Sequence, residues 1–150
     1  MKISTARFGE LEIQEEQMIH FPQGLPGFEE LRKFTWVNTG EEMPFSFLQS
    51  VEDGSVAFIT VDPFLFYPEY SFELSGSIKE DLKIERENDV QIKAIVTIRG
   101  SLESATINLQ APIVVNPGLR VAKQVILHDT VYKSRHALIR HQTGLSSREG

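Results

Sequence analysis

The stretch Ala105–Leu127, ATINLQAPIVVNPGLRVAKQVIL, decides how the rest of the chain is read. It opens with alternation: Ala105, Ile107 and Leu109 fall on one face of an extended segment, the two-residue period of a half-buried strand. Asn116-Pro117-Gly118 supplies a turn, and Val121–Leu127 resumes strand character beyond it. The stretch has no Cys and no His, and its side-chain acceptors are neutral. It is built as core or surface and carries no evident chemistry.

Upstream the same pattern repeats. Lys2–Phe8, Leu11–Ile13 and Gln17–Phe21 read as an N-terminal meander, with Gly9-Glu10 as the turn between the first two. Phe34–Val37, Phe45–Leu48 and Val56–Val61 are rich in β-branched and aromatic residues. Gln91–Ile98 alternates at its start and then turns apolar on both sides, as a strand does on entering a covered region; Glu103–Leu109 alternates again. Turn signals (Gly24, Pro26-Gly27, Gly40, Asp53-Gly54, Asp62-Pro63, Gly76, Asn88-Asp89, Gly100) recur at short intervals. Many short strands at such spacing predict a mostly all-β fold, a small antiparallel β-barrel-like domain with one or two short helices. The helices are expected at Ser77–Ile84, with Ser77 as N-cap and Glu80 completing a capping box, and at Phe28–Phe34. The pattern fades after His128. The domain is therefore drawn as 1–130, with 131–150 as a flexible C-terminal arm.

The 150 residues suit one domain with its own core. The absence of Cys removes disulfides and thiolate metal sites. The N-terminus has no apolar core of a secretory signal and no apolar run is long enough for a membrane span, so a cytoplasmic protein is expected. Charge is divided unevenly. Residues 1–75 hold four Lys/Arg against thirteen Asp/Glu, and residues 76–150 hold eleven against eight. Solubility alone accounts for an acidic half; the sharper reading is that it repels nucleic acid or meets a basic protein partner.

Catalytic and cofactor signatures are missing. No Ser sits in a G-x-S-x-G elbow, and the glycines form neither a dinucleotide fingerprint nor a P-loop. His20 lies within a strand and reads as a packed structural residue. His136 and His141 are five apart, off one helix face, so no metal or cofactor site is assigned. Glu15-Glu16, Glu29-Glu30 and Glu41-Glu42 read as solvated pairs, with no burial to shift one pKa for acid–base work.

One segment stands out, Asp62–Gly76, DPFLFYPEYSFELSG. It is dense in aromatics, contains Asp62, Glu69 and Glu73, and has no Lys or Arg. Base stacking on aromatics needs cations nearby to hold the phosphates, so this is a poor nucleic-acid platform. Pro63 and Pro68 cannot donate to a ladder, which makes the segment an edge or a loop. Phe66 and Phe72 are assigned to core; Phe64, Tyr67 and Tyr70 are read as displayed anchors for a protein partner, with Asp62 and Glu69 setting charge complementarity.

Three separated motifs then give the chain a family likeness. They are Phe21–Glu29 (FPQGLPGFE), Val61-Asp62-Pro63-Phe64 with Pro68-Glu69-Tyr70, and Asn108–Asn116 (NLQAPIVVN) with Gln124–Leu127. In that order they resemble the flagellar assembly factor FliW family, over about Lys2 to Leu127. The resemblance implies a non-enzymatic β-barrel-like protein that binds flagellin in the cytoplasm. It also implies that, after flagellin export, such a protein binds the translational repressor CsrA and relieves repression of flagellin translation. The contact on CsrA is expected away from its RNA-binding face, so the antagonism is allosteric or electrostatic. Within the motifs, Phe21 and Phe28 read as packed inside, Asn108 and Asn116 as caps of turns, and Pro112 as a bend or edge. Asn108, Pro112 and Asn116 join Asp62, Phe64, Tyr67, Glu69 and Tyr70 as candidate partner-binding residues. A barrel that binds a small molecule or RNA is the alternative.

Overall fold

The computed structural model describes residues 1–38 and 44–140. The expected Gly40 turn, the Glu41-Glu42 pair, His141 and the Gln142–Gly150 tail lie outside the described residues.

Eleven strands and two short helices follow in order among the described residues: β1 (Lys2–Thr5), β2 (Gly9–Glu12), β3 (Met18–His20), β4 (Lys33–Val37), β5 (Phe45–Ser50), β6 (Ala57–Val61), α1 (Pro63–Phe66), α2 (Gly76–Asp81), β7 (Gln91–Arg99), β8 (Ser101–Ile107), β9 (Ile113–Asn116), β10 (Val121–Gln124) and β11 (His136–Ala137). β3 to β7 pair in sequence as an antiparallel meander. The barrel then closes through β9 and β10: β9 pairs with the first half of β7, β10 with β9, and β10 runs parallel to β3 at Val121 opposite His20. The result is a closed seven-stranded barrel. β7 serves two neighbours along one edge, β9 at Gln91–Lys93 and β8 from Val96 onward, so β8 and β11 extend beyond the barrel wall.

Each of the seven strands contributes to the interior: Ile19, Phe34, Leu48, Phe58, Ile95, Ile113 with Val115, and Ala122. Phe34 and Leu48 have no exposed surface, and burial of side chains of this size stabilises by about 1.5–3 kcal/mol each. Three further clusters coat the outside. The hairpin β1–β2 packs Ile3 and Ile13 on Met18 and Val51. The segment around α2 covers Val114 with Leu82 and Ile84. Tyr67, Tyr70 and Leu138 cover the outer faces of β6, β7 and β8 at Val61, Ala94, Val96, Ala105 and Ile107. Strands covered on both sides are apolar on both sides, which accounts for the unbroken run Ile113–Val115.

Several expectations are corrected. Phe28–Phe34 is not helical; Leu25 and Phe28 form a bridge, and β4 begins at Lys33. Gly24 holds that loop together, at φ 67° and with a Cβ that would lie 2.6 Å from Glu29 Cα. Phe28 is 38% exposed, edge-on to Phe58, and is not packed inside. His20 is on a strand but exposed. The first hairpin turns at Ala6–Phe8, and Gly9 and Glu10 already belong to β2; Thr5 Oγ1 closes that turn, accepting from Phe8 N at 2.8 Å and donating to Gly9 O at 2.7 Å. α2 is capped by Ser75, whose Oγ accepts from Ile78 N, rather than by Ser77. Residues 131–140 are not a loose arm. β11 pairs with β8, Leu138 is buried, and the domain extends through them, because the apolar outer face of β8 needs a cover.

Candidate docking groove

Asp62 ends β6 and caps α1: its Oδ1 accepts from Phe64 N at 2.9 Å, and Pro63 occupies the first helical position, where no N–H is needed. This single helical turn replaces the edge or loop expected from Pro63. It lifts the chain off the barrel, so that Phe64–Leu74 runs as a wall beside the first half of β7. Between wall and strand lies a groove of about 560 Å³. Phe64, Tyr70, Phe72, Leu74, Val90 and Ile92 give it an apolar lining, and Asp62 and Glu87 supply its charges. Lys93 borders it, with its ammonium over the Trp36 ring. Phe64, Tyr70 and Phe72 follow one another along it, with ring centroids 5.7 Å and 5.3 Å apart. Phe64 is 40% exposed and its neighbour Leu65 is 65% exposed, the largest apolar surface on the wall.

The sequence-predicted residues divide into three groups: some line the groove, Tyr67 and Glu69 sit on the wall without lining it, and the rest stand apart. Asp62, Phe64 and Tyr70 meet in the groove. Tyr67 and Tyr70 are nevertheless not displayed: they are 8% and 2% exposed, and this part of the reading is corrected. Tyr70 offers the groove a ring edge while its hydroxyl donates to Leu109 O at 2.8 Å. Its phenol is pushed far above the usual range, by burial first and by nearby Tyr132 second. Tyr67 Oη donates to Ala137 O at 2.6 Å, and burial raises its phenol although Arg140 opposes the shift. Glu69 is exposed and pairs with Arg140 at 3.0 Å; its carboxyl is lowered chiefly by its own backbone N–H, with Arg140 adding to it.

Asn108, Pro112 and Asn116 stand apart from the groove. Asn108 Oδ1 accepts from Gln110 N and Ala111 N, both at 3.0 Å. Pro112 is buried, and its carbonyl accepts from Val125 N at 2.9 Å. Asn116 is buried, donates to Leu82 O at 2.8 Å, and accepts from Leu119 N at 3.3 Å. Asn108 and Asn116 close turns through their side-chain amides, and Pro112 is a packed residue whose backbone carbonyl meets Val125. Sequence reasoning missed Val90, Ile92 and Lys93 on the facing side. Alternation at the start of β7 marked a strand there, yet nothing local said that its outer face would border a groove.

The groove holds no nucleophile paired with a base, and no group of His and carboxylates able to hold a metal occurs among the described residues. What the arrangement can do is bury apolar side chains against an aromatic wall and meet charge at its rim. No helix among the described residues is long and apolar enough to cross a membrane.

Fold and groove together define a class: a small closed β-barrel with an aromatic groove built on its outer wall. The chain belongs to the FliW family, whose family model, described as FliW protein, matches residues 2–138. The flagellar assembly factor FliW of Bacillus pumilus (strain SAFR-032) is 45% identical over 138 residues, 92% of this chain and 96% of that protein. The flagellar assembly factor FliW of Desulfitobacterium hafniense (strain Y51) is 42% identical over 150 residues, 100% of this chain and 99% of that protein. A crystal structure of the flagellar assembly factor FliW superposes with a TM-score of 0.89 at 39% identity, covering 95% of this chain and 99% of that one.

Proposed function

We propose that this chain is a non-enzymatic flagellar assembly factor of the cytoplasm that binds flagellin and, once flagellin is exported, binds CsrA and relieves its repression of flagellin translation. Family membership over nearly the whole chain is the observation that carries this reading. Two physical features support it. The groove between Phe64–Leu74 and β7 is shaped to take apolar side chains from another molecule; Phe64 is its exposed anchor, and Leu65 stands exposed beside it on the wall. The acidic balance of residues 1–75 opposes phosphate binding, so a CsrA molecule held against that half loses RNA affinity through charge, without competition at its RNA-binding face.

Calorimetric titration tests it, first with flagellin, then with CsrA, then with CsrA in the presence of saturating flagellin. Binding to both, with the second blocked by the first, is the expected result. Binding to neither removes the proposal. A barrel that takes a small molecule or RNA then moves forward, to be judged by salt-dependent RNA affinity or by a ligand-induced rise in melting temperature.

A further inference from the structure

The groove's aromatic wall belongs to no sheet. After the single turn of α1 it runs from Tyr67 to Ser75 without strand pairing, and the backbone N–H of Ser71 is bonded to a side chain from a distant part of the chain, Tyr132 Oη at 3.3 Å. A wall of this kind has few bonds of its own to fix its position. Tyr70 is pinned to the Leu109 carbonyl and packs on the barrel wall. The wall's remaining side-chain anchors come from the segment His128–Arg140.

That segment is itself anchored. β11 adds to the outer edge of β8, Leu138 N donates to Ala105 O at 3.0 Å, and Leu109 N donates to Lys133 O at 3.2 Å. From this strap four residues reach the wall, among them His136, whose ring lies edge-on to Tyr67 with centroids 5.6 Å apart. The Tyr132 ring stands edge-on to Tyr70, with centroids 4.7 Å apart. The Ala137 carbonyl accepts the Tyr67 hydroxyl at 2.6 Å. Arg140 closes the far end: Nη1 donates to Glu69 at 3.0 Å, Nη2 donates to the Phe66 carbonyl at 2.9 Å, and the guanidinium lies 4.1 Å from the centre of the Tyr67 ring. Arg140 and Ala137 do not line the groove, so they act on it through the wall.

We propose that the strap His128–Arg140 is a clamp that pre-forms the docking groove, with Arg140 as the positioning residue that closes it. This rests on the groove being the docking site. A wall held in the binding geometry before the partner arrives spares the partner the cost of ordering it. Any partner that prefers the clamped wall is bound more tightly with the strap seated, and by linkage that partner tightens the strap. Arginine is required in kind as well as charge: a planar fork bonds two acceptors while stacking on a ring, and a lysine ammonium offers a single point charge.

The test uses the full chain in two arms. In the free protein, amide hydrogen exchange is compared for wild type, Arg140→Gln and Arg140→Lys. The clamp predicts that Arg140→Gln speeds exchange at Leu65, Tyr67 and Tyr70 by roughly tenfold, leaves β4 and β5 unchanged, and is rescued only in part by Arg140→Lys. Flagellin titration then predicts a several-fold loss of affinity in Arg140→Gln. Should that variant misfold, Tyr132→Phe, which removes one acceptor, must give the same localised pattern. Unchanged exchange at the wall in both variants overturns the clamp. Faster exchange with undiminished flagellin affinity also overturns it, because the groove would then not need the strap. If wild type binds neither flagellin nor CsrA, the docking reading fails, and the exchange arm alone decides whether Arg140 positions the wall.

Discussion

Tyr70 Oη donates to the backbone carbonyl of Leu109 at 2.8 Å, a buried bond between the groove wall and the loop that follows β8. One residue thus serves two surfaces: its ring lines the groove and its hydroxyl pins the wall to the sheet. Tyr70→Phe keeps the ring and leaves the Leu109 carbonyl without its partner. An unsatisfied buried acceptor costs about 1–3 kcal/mol, and urea denaturation is expected to show a loss in that range with little change in slope.

Asn116 makes a comparable demand at the other side of the barrel. Its amide spans the Leu82 and Lys83 carbonyls and the Leu119 N–H, tying α2 to the turn after β9. Asn116→Ala is expected to destabilise by about 1–3 kcal/mol. Asn116→Asp keeps the acceptor but loses the donors, and it too is expected to destabilise, as read by thermal melting.

Gly54 is a steric requirement. A Cβ there would overlap the Ser4 carbonyl, so Gly54→Ala must displace the hairpin β1–β2, which also hangs from the Ala6 N to Gly54 O bond. The expected signature is a lower melting temperature with exchange raised at Ile3 and Ala6 ahead of the barrel, at a cost of about 1–3 kcal/mol. Equal exchange at those amides in the two proteins would count against it.

The strap carries a pH dependence. His136 Nε2 accepts from Lys133 N at 2.8 Å, and its ring lies against Tyr67 and Tyr132. Burial first and the Lys133 charge second lower its pKa from the ordinary value of 6.5. A depressed pKa means that the unfolded imidazole takes up the proton more readily. Strap stability is therefore complete above pH 6.5 and falls as pH drops through the lowered folded-state pKa. Protection of the Lys133 amide is expected to decline on acidification in wild type, and His136→Gln is expected to remove that pH dependence.

Phe64 and Leu65 are the exposed apolar residues of the wall; Leu65 is 65% exposed, and Phe64 keeps a ring contact with Tyr70, centroids 5.7 Å apart. The double substitution Phe64→Ala, Leu65→Ala is expected to weaken flagellin or CsrA binding by about tenfold or more at a stability cost of about 1 kcal/mol. Unchanged affinity for both partners would move the docking site off this groove.

The strands were legible because their cause is local. Period-two alternation at Gln91–Ile98 and Glu103–Leu109 and β-branched runs place β4 to β8 within a residue or two of where they stand, while Val121–Leu127 overshoots β10 by three residues. Capping was legible in kind and misplaced in detail, since Ser75 and Ser77 are equally good caps and packing of Ile78 and Leu82 chooses between them. The aromatics were not legible. Phe64, Tyr67 and Tyr70 look alike in sequence, and only contacts with Leu109, Tyr132 and Ala137 bury two of them while the third stays at the surface.

Chain chemistry alone therefore settles a mostly β domain, an acidic first half and a family likeness carried by three short motifs. Closure of the barrel, the groove and the clamp were decided in three dimensions. β3 meets β10, β7 meets β9, and Arg140 meets Phe66 and Glu69 across long spans of sequence. Alternation marks which residues can face a core. It carries no record of which distant segment will cover them, because that depends on the closed geometry of the whole chain.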